Sequence, residues 1–133
     1  QELKRLSAHA GLPLNIQPAF WPTNAGPASC AVLAVAEQGG DAGTLAHAYL
    51  RAVWAEERDI GDAATVAAVL SENGHDADAL AASITAAEAE FEANTDRALA
   101  AGVFGAPFYV VDGERFWGQD RLEYLDRHLA SLG

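Results

Sequence analysis

The sequence predicts an α+β fold that is mostly helical: a series of helices, then a β-hairpin and one closing helix. Three observations lead there. Alanine-rich runs with apolar residues at helical spacing fill most of residues 1–101. The period then changes at Phe108–Val111, which is aromatic and β-branched and reads as a strand. Asp112-Gly113 follows as a two-residue hairpin signal, and Glu114–Trp117 returns as the partner strand.

In chain order, Gln1–His9 reads as the end of a helix, with Leu3 and Leu6 three apart and Gly11 as its stop. Leu12–Pro27 holds Pro13, Pro18, Pro22 and Pro27 with Phe20 and Trp21 between them. Proline lacks the donor a helix interior or central strand needs, so this segment is expected to be an extended connector with its aromatics tucked against the body. Asn24 is placed to cap a helix reaching about Gln38, with Pro27 tolerated in its first turn and Gly39-Gly40 ending it. Asp41 caps the next, whose Leu45, Ala48, Tyr49, Ala52 and Val53 share one face. Asp62 caps a shorter helix carrying Val66, Val69 and Leu70, closed by Gly74. Asp76 starts another with Leu80 and Ile84, and the Thr85/Glu88 spacing of a capping box predicts a fresh helix start before Phe91. Gly118 breaks the second strand, and Gln119–Leu132 is the last helix, with Leu122, Leu125, Leu129 and Leu132 on one face. A two-stranded hairpin is marginal alone, so further strands are expected before Gln1 or from a partner chain. The opening QELKRLSAHAGL, helix-like from its first residue and without a methionine, gives the same expectation of a chain that starts partway into a longer protein.

The 133 residues suffice for one core, and half of them are apolar, which separates the chain from disordered compositions. A net charge of −11 argues against nucleic acid and against anionic membrane surfaces, since both need a basic patch. No apolar run approaches a membrane span and no signal peptide is recognisable, so a cytoplasmic protein is expected. The single cysteine, Cys30, excludes an internal disulfide or a CxxC pair and lies in an apolar run, where a buried thiol is expected. His9, His47, His75 and His128 are scattered, and no metal site is predicted.

No Ser-His-Asp arrangement or phosphate loop is present. The unusual chemistry is concentrated in GVFGAPFYVVDGERFWGQDRL, Gly102–Leu122. Within it, Pro107 before the strand is either an ordinary trans loop proline or a cis one that frees the Ala106 N–H and C=O for an extended ligand. A helix starting at Gln119 presents free N–H groups suited to a carboxylate, and Asp120 could accept from an ammonium; equally, Asp120 could only complement the helix dipole. Asn94, Thr95, Arg51 and Trp54 are weaker ligand candidates, and Glu56, Glu57 and Asp59 read as a solvated acidic cluster.

The stretch GVFGAPFYVVDGERFWGQDRLEYLDRHL resembles the C-terminal signature of 2-hydroxychromene-2-carboxylate isomerases, in the DsbA-like, kappa-class glutathione transferase group of thioredoxin-fold proteins. AYLRAVWAEERDI, FEANTDRALAAGVFGAP and the connector GLPLNIQPAFWPTN are similar to the same pattern, so the resemblance runs through essentially all 133 residues. It implies a thioredoxin-like domain interrupted by a helical insertion. Residues 1–23 would be a helix end and Pro-rich connector, 24–101 the helical insertion domain, and 102–133 the C-terminal ββα part, with a βαβ half before Gln1.

The implied activity is glutathione-dependent cis–trans isomerisation of an aromatic ring-opening product, with glutathione as cofactor and a small aromatic-derived molecule as substrate. Carried over by position, Ala106 before Pro107 would pair with the cysteinyl part of glutathione, and Gln119 and Asp120 would hold its γ-glutamyl end. The family's activating serine has no counterpart here; Ser7, Ser29, Ser71, Ser83 and Ser131 lie outside that motif, so no catalytic residue is assigned and a serine is expected upstream of Gln1. A DsbA-like thiol–disulfide oxidoreductase and a non-catalytic binding or oligomerisation remnant are the alternatives. The bare hairpin edge leads to the expectation of a homodimer.

Overall fold

Three aspartates fix where the central helices begin. In the computed structural model, which describes all of Gln1–Gly133, Asp41 and Asp62 accept hydrogen bonds from the Thr44 and Thr65 amides at 3.0 and 2.9 Å. Asp76 does the same for Ala79 at 3.0 Å. Each satisfies an amide that has no partner in the first turn of a helix. The elements are α1 (Glu2–Ala10), α2 (Gly26–Glu37), α3 (Ala42–Trp54), α4 (Ala63–Glu72), α5 (Ala77–Ala100), β1 (Phe108–Val111), β2 (Glu114–Trp117), a 3-10 turn (Gln119–Arg121) and α6 (Leu122–Leu132). The fold is thus α+β and mostly helical, as expected. It divides into two units, Gln1–Phe91 and Glu92–Gly133.

In the first unit, α2, α3 and α4 pack on one another around a single core. The α2 helix contributes Ala28, Ala31, Ala34 and Val35, and α3 contributes Leu45, Tyr49, Ala52 and Val53. Val66, Val69 and Leu70 come from α4, and Leu80 from the start of α5. Small side chains on α2 let its backbone approach its neighbours closely. Tyr49 keeps its hydroxyl satisfied inside this core by donating to the Val66 carbonyl at 3.0 Å, and burial pushes its pKa up to about 12. Cys30 is buried as expected, and burial, aided by the charge of Glu88, raises its thiol pKa.

Two sequence expectations need correction. The capping box at Thr85 and Glu88 does not start a helix: α5 runs unbroken, and the Thr85 hydroxyl bonds back to the Ala81 carbonyl at 3.2 Å. No glycine or proline interrupts residues 77–100, so nothing forces a boundary there. Asn24 is not the N-cap of α2 either. Ala25 occupies that position, and Asn24 accepts instead from Gly26 N–H at 3.0 Å.

In the second unit β1 and β2 pair antiparallel, Phe108 opposite Trp117 and Val111 opposite Glu114. Asp112 and Gly113 both have positive φ (49° and 84°), the geometry of the hairpin turn their sequence suggested. The last helix lies against β2, with Phe116 and His128 rings 5.5 Å apart and Leu125 the buried residue. No helix is long and apolar enough to cross a membrane.

Leu45 is fully buried, so Leu45→Ala is expected to destabilise the chain by about 2–5 kcal/mol in urea unfolding. A second expectation concerns acid. Bonds from Thr44 hold the Asp41 carboxyl below its ordinary range, Thr23 and Gly61 do so for Asp59, and Arg58 for Glu72. Their stabilisation is present above an unfolded-state pKa of about 4 and is lost as pH falls through the lower folded values. Urea midpoints measured over a pH series should therefore drop on acidification. Asp41→Asn, which keeps an oxygen acceptor and removes the charge, should make that dependence shallower.

Candidate functional site

The glycine-rich segment after α5 is shaped by close approaches that exclude side chains. Gly102 ends α5 in the left-handed conformation, φ 74°, with its amide bonded to the Leu99 carbonyl at 3.0 Å. Gly105 lies under the Trp117 indole, and a Cβ there would sit 2.6 Å from Trp117 Nε1. Phe104 is wedged edge-on between Phe108 and Trp117, both ring pairs having centroids 5.0 Å apart. Aromatic contacts across the base of the hairpin thus fix the course of the chain into Ala106.

The Ala106–Pro107 bond is cis. Pro107 cannot donate, but its carbonyl accepts from Gly118 N–H at 3.0 Å, extending the ladder one step beyond β1 and β2. That bond places the Ala106–Pro107 corner beside the Gly118–Asp120 turn. Ala106 is exposed, and neither its N–H nor its C=O has a hydrogen-bond partner. Gly118 has φ 105° and ψ 151°, a region open essentially to glycine alone.

The turn after Gly118 differs from the regular helix start that the sequence suggested. Gln119–Arg121 is a 3-10 turn closed by Arg121 N–H to the Gly118 carbonyl at 3.2 Å, and α6 begins only at Leu122. The amides of Gln119 and Asp120 remain without partners in this turn. Asp120 already holds a cation: its Oδ2 is 2.8 Å from the Arg121 guanidinium, both side chains being exposed. A ligand ammonium at Asp120 would compete with, or join, Arg121. The corner therefore offers a backbone donor–acceptor pair, two free amides and one carboxylate, a set suited to an extended peptide-like zwitterion.

The weaker candidates have other occupations. Asn94 accepts from Arg97 at 2.5 Å along the surface of α5. Arg51 bonds Glu56 at 2.7 Å at the rim of a recess of about 270 Å³ that also contains Arg58 and Glu72. Trp54 stacks on Trp21 with centroids 5.0 Å apart.

The acidic cluster is also more specific than a solvated face. Glu56 pairs with Arg51 and Arg58, and Glu57 accepts from Ala19 N–H. Asp59 Oδ1 accepts from the Thr23 hydroxyl at 2.5 Å and Gly61 N–H at 2.9 Å. The signal for Asp59 was the short Asp59-Ile60-Gly61 turn, in which an aspartate bonds its own backbone two residues on. Its distant partner in the connector leaves no mark in local sequence.

The family model of the DSBA-like thioredoxin domain matches residues 1–130. A 2-hydroxychromene-2-carboxylate isomerase of Sphingobium xenophagum is 32% identical over 130 residues, covering 96% of this chain and 65% of that protein. A solved structure of selenomethionine 2-hydroxychromene-2-carboxylate isomerase matches with a TM-score of 0.79 at 26% identity, over 98% of this chain and 64% of that one. The chain thus spans just under two thirds of the length of these relatives.

The two tight glycines provide a test of the corner. Gly118→Ala meets both an unfavourable backbone and a Cβ contact of 2.6 Å with Asp120 Oδ1, and a cost of about 1–3 kcal/mol is expected. Gly105→Ala should perturb the near-ultraviolet circular dichroism of Trp117, because the indole must move. A Gly105→Ala spectrum identical to the parent would show that the indole contact does not shape the loop.

Proposed function

The chain belongs to the DSBA-like thioredoxin domain family, and from that premise we propose that it forms part of a glutathione-dependent isomerase. The reaction is cis–trans isomerisation of the 2-hydroxychromene-2-carboxylate type in aromatic degradation. In this reading residues 24–101 are the helical insertion and residues 102–133 the returning ββα half of the thioredoxin-like domain. The observation that carries it is the similarity, in sequence and in fold over nearly the whole chain, to proteins named as that isomerase. The geometry of the Ala106–Asp120 corner supports the ligand.

Glutathione is an extended tripeptide with an ammonium and a carboxylate at its γ-glutamyl end. The corner suits that chemistry at the γ-glutamyl end and at the central cysteinyl residue. Ala106, exposed and unpaired in N–H and C=O, would bond the cysteinyl backbone as an added strand does. The free amides of Gln119 and Asp120 would receive the γ-glutamyl carboxylate, and the Asp120 carboxylate its ammonium. Pro107 would hold the corner by its carbonyl bond to Gly118. The chemistry supplied by the tripeptide when bound is a thiolate able to add to, and leave, a conjugated double bond. No side chain of residues 102–122 is assigned an acid, base or nucleophile role. Cys30, buried with its thiol pKa raised, gives no support to the oxidoreductase alternative.

Calorimetric titration of the chain with S-methylglutathione tests the ligand. Saturable binding is expected, weakened about tenfold by Asp120→Ala through loss of one charge-assisted bond and by Ala106→Pro, which removes the amide donor. Absence of heat for the parent chain, or unchanged affinity in both folded variants, would count against this corner as the site. The isomerase reading itself is checked separately, by following absorbance of 2-hydroxychromene-2-carboxylate with and without glutathione.

A further inference from the structure

The connector between α1 and α2 builds a recess of its own, about 440 Å³, against the loop that leads into α4. That volume lies within the range of small-molecule sites. Its lining includes Phe20, Trp21, Thr23, Asn24, Asp59 and Gly61. We propose that this recess binds a planar aromatic ammonium ion.

The first ground is the aromatic wall. Phe20 and Trp21 remain 45% and 52% exposed, while Trp21 is backed by the Trp54 ring at 5.0 Å and 43°. The indole thus leans on Trp54 while about half of its surface stays open at the recess it lines, leaving ring surface able to receive a flat ring or a cation.

The second ground is charge. Asp59 is the one ionisable group in the lining. Both of its protein hydrogen bonds converge on Oδ1, from Thr23 and Gly61, and Oδ2 has no hydrogen-bond partner. Those bonds keep the carboxyl ionised by holding its pKa below the ordinary range. The neighbouring Arg58 does not neutralise it, being engaged bidentately by Glu72 at 2.8 and 3.1 Å and contacting Glu56 at 3.5 Å. A chain of net charge −11 adds a field of the same sign.

The third ground is a spare donor. Asn24 uses its Oδ1 for Gly26 N–H and leaves its amide nitrogen without a partner, ready for a hydroxyl on the ligand ring. The same carboxylate disfavours a carboxylate ligand, so the recess is not suited to the substrate class named above. Every residue used lies between Phe20 and Glu72, outside the Ala106–Asp120 corner, so the inference does not rest on the glutathione reading.

Calorimetry on the whole chain at low ionic strength tests it with four probes: benzyltrimethylammonium, tetramethylammonium, phenylacetate and benzyl alcohol. Saturable millimolar binding of benzyltrimethylammonium is expected, about tenfold tighter than each of the other three, of which tetramethylammonium lacks the ring and phenylacetate and benzyl alcohol lack the positive charge. Trp21→Leu, which disturbs no hydrogen bond, and Asp59→Asn, which keeps the Oδ1 acceptor, should each weaken it about tenfold. Equal binding of phenylacetate, equal binding of tetramethylammonium, or no saturation by benzyltrimethylammonium would each overturn the proposal on the unaltered chain. Should Asp59→Asn fail to fold, Trp21→Leu decides the location: unchanged affinity in that variant would place the cation elsewhere.

Discussion

The hydrogen bond from Gly118 N–H to the Pro107 carbonyl is the constraint on which the candidate site depends. It is the last rung of a ladder only four residues long on each strand, and it is made by the one oxygen a strand-leading proline can still offer. Without it the Ala106–Pro107 corner and the Gln119–Arg121 turn would be two unrelated loop ends. With it, the unpaired backbone groups of Ala106 and of Gln119 and Asp120 lie on two chain segments joined directly by a hydrogen bond. Gly118 can form the bond and also turn the chain because its φ of 105° is open to it and closed to other residues. Gly105 plays the complementary part, admitting the indole that braces the corner from the hairpin side.

The first unit solves a different problem with the same economy of partners. Its charged groups are sorted into short-range assignments: Arg58 to Glu72, Arg51 to Glu56, Asp59 to Thr23 and Gly61, Glu57 to the Ala19 amide. Two of these reach from the loop after α3 back to the connector. A proline-rich segment with no regular structure is thereby held to the helices by polar contacts, by Asn15 N–H to the Trp54 carbonyl at 2.7 Å, and by the Trp21–Trp54 stack. Exposed ion pairs contribute little individually; the hydrogen bonds that Glu57 and Asp59 accept from Ala19 and Thr23 are what fix the connector's path.

What was legible in the sequence follows the range of the interaction that encodes it. Asp41, Asp62 and Asp76 bond amides three residues on, so their caps could be read directly. The Asp112-Gly113 turn is equally local. The Thr85/Glu88 spacing misled because a capping box is only a pattern until the backbone ahead of it leaves the helix, and nothing in Ala77–Ala100 makes it leave. Asn24 was displaced by one residue for a related reason: its carboxamide reaches Gly26, and the first helical turn begins after Ala25. In the candidate site, glycine and proline marked where the backbone would be unusual, but the 3-10 geometry of Gln119–Arg121 and the Asp120–Arg121 pair emerge only when the turn is built. The Thr23–Asp59 bond joins residues 36 apart and was beyond any local reading.

The alanines of α2 carry a further consequence. Ala28, Ala31 and Ala34 have no rotamers to freeze when the helix docks, so burying them costs essentially no side-chain entropy, unlike burying leucine or methionine. The reward per residue is small, but so is the disorder surrendered, and small side chains let the backbone of α2 come near α3 and α4 in the shared core. Such a helix gives up little rotational freedom on docking at those positions.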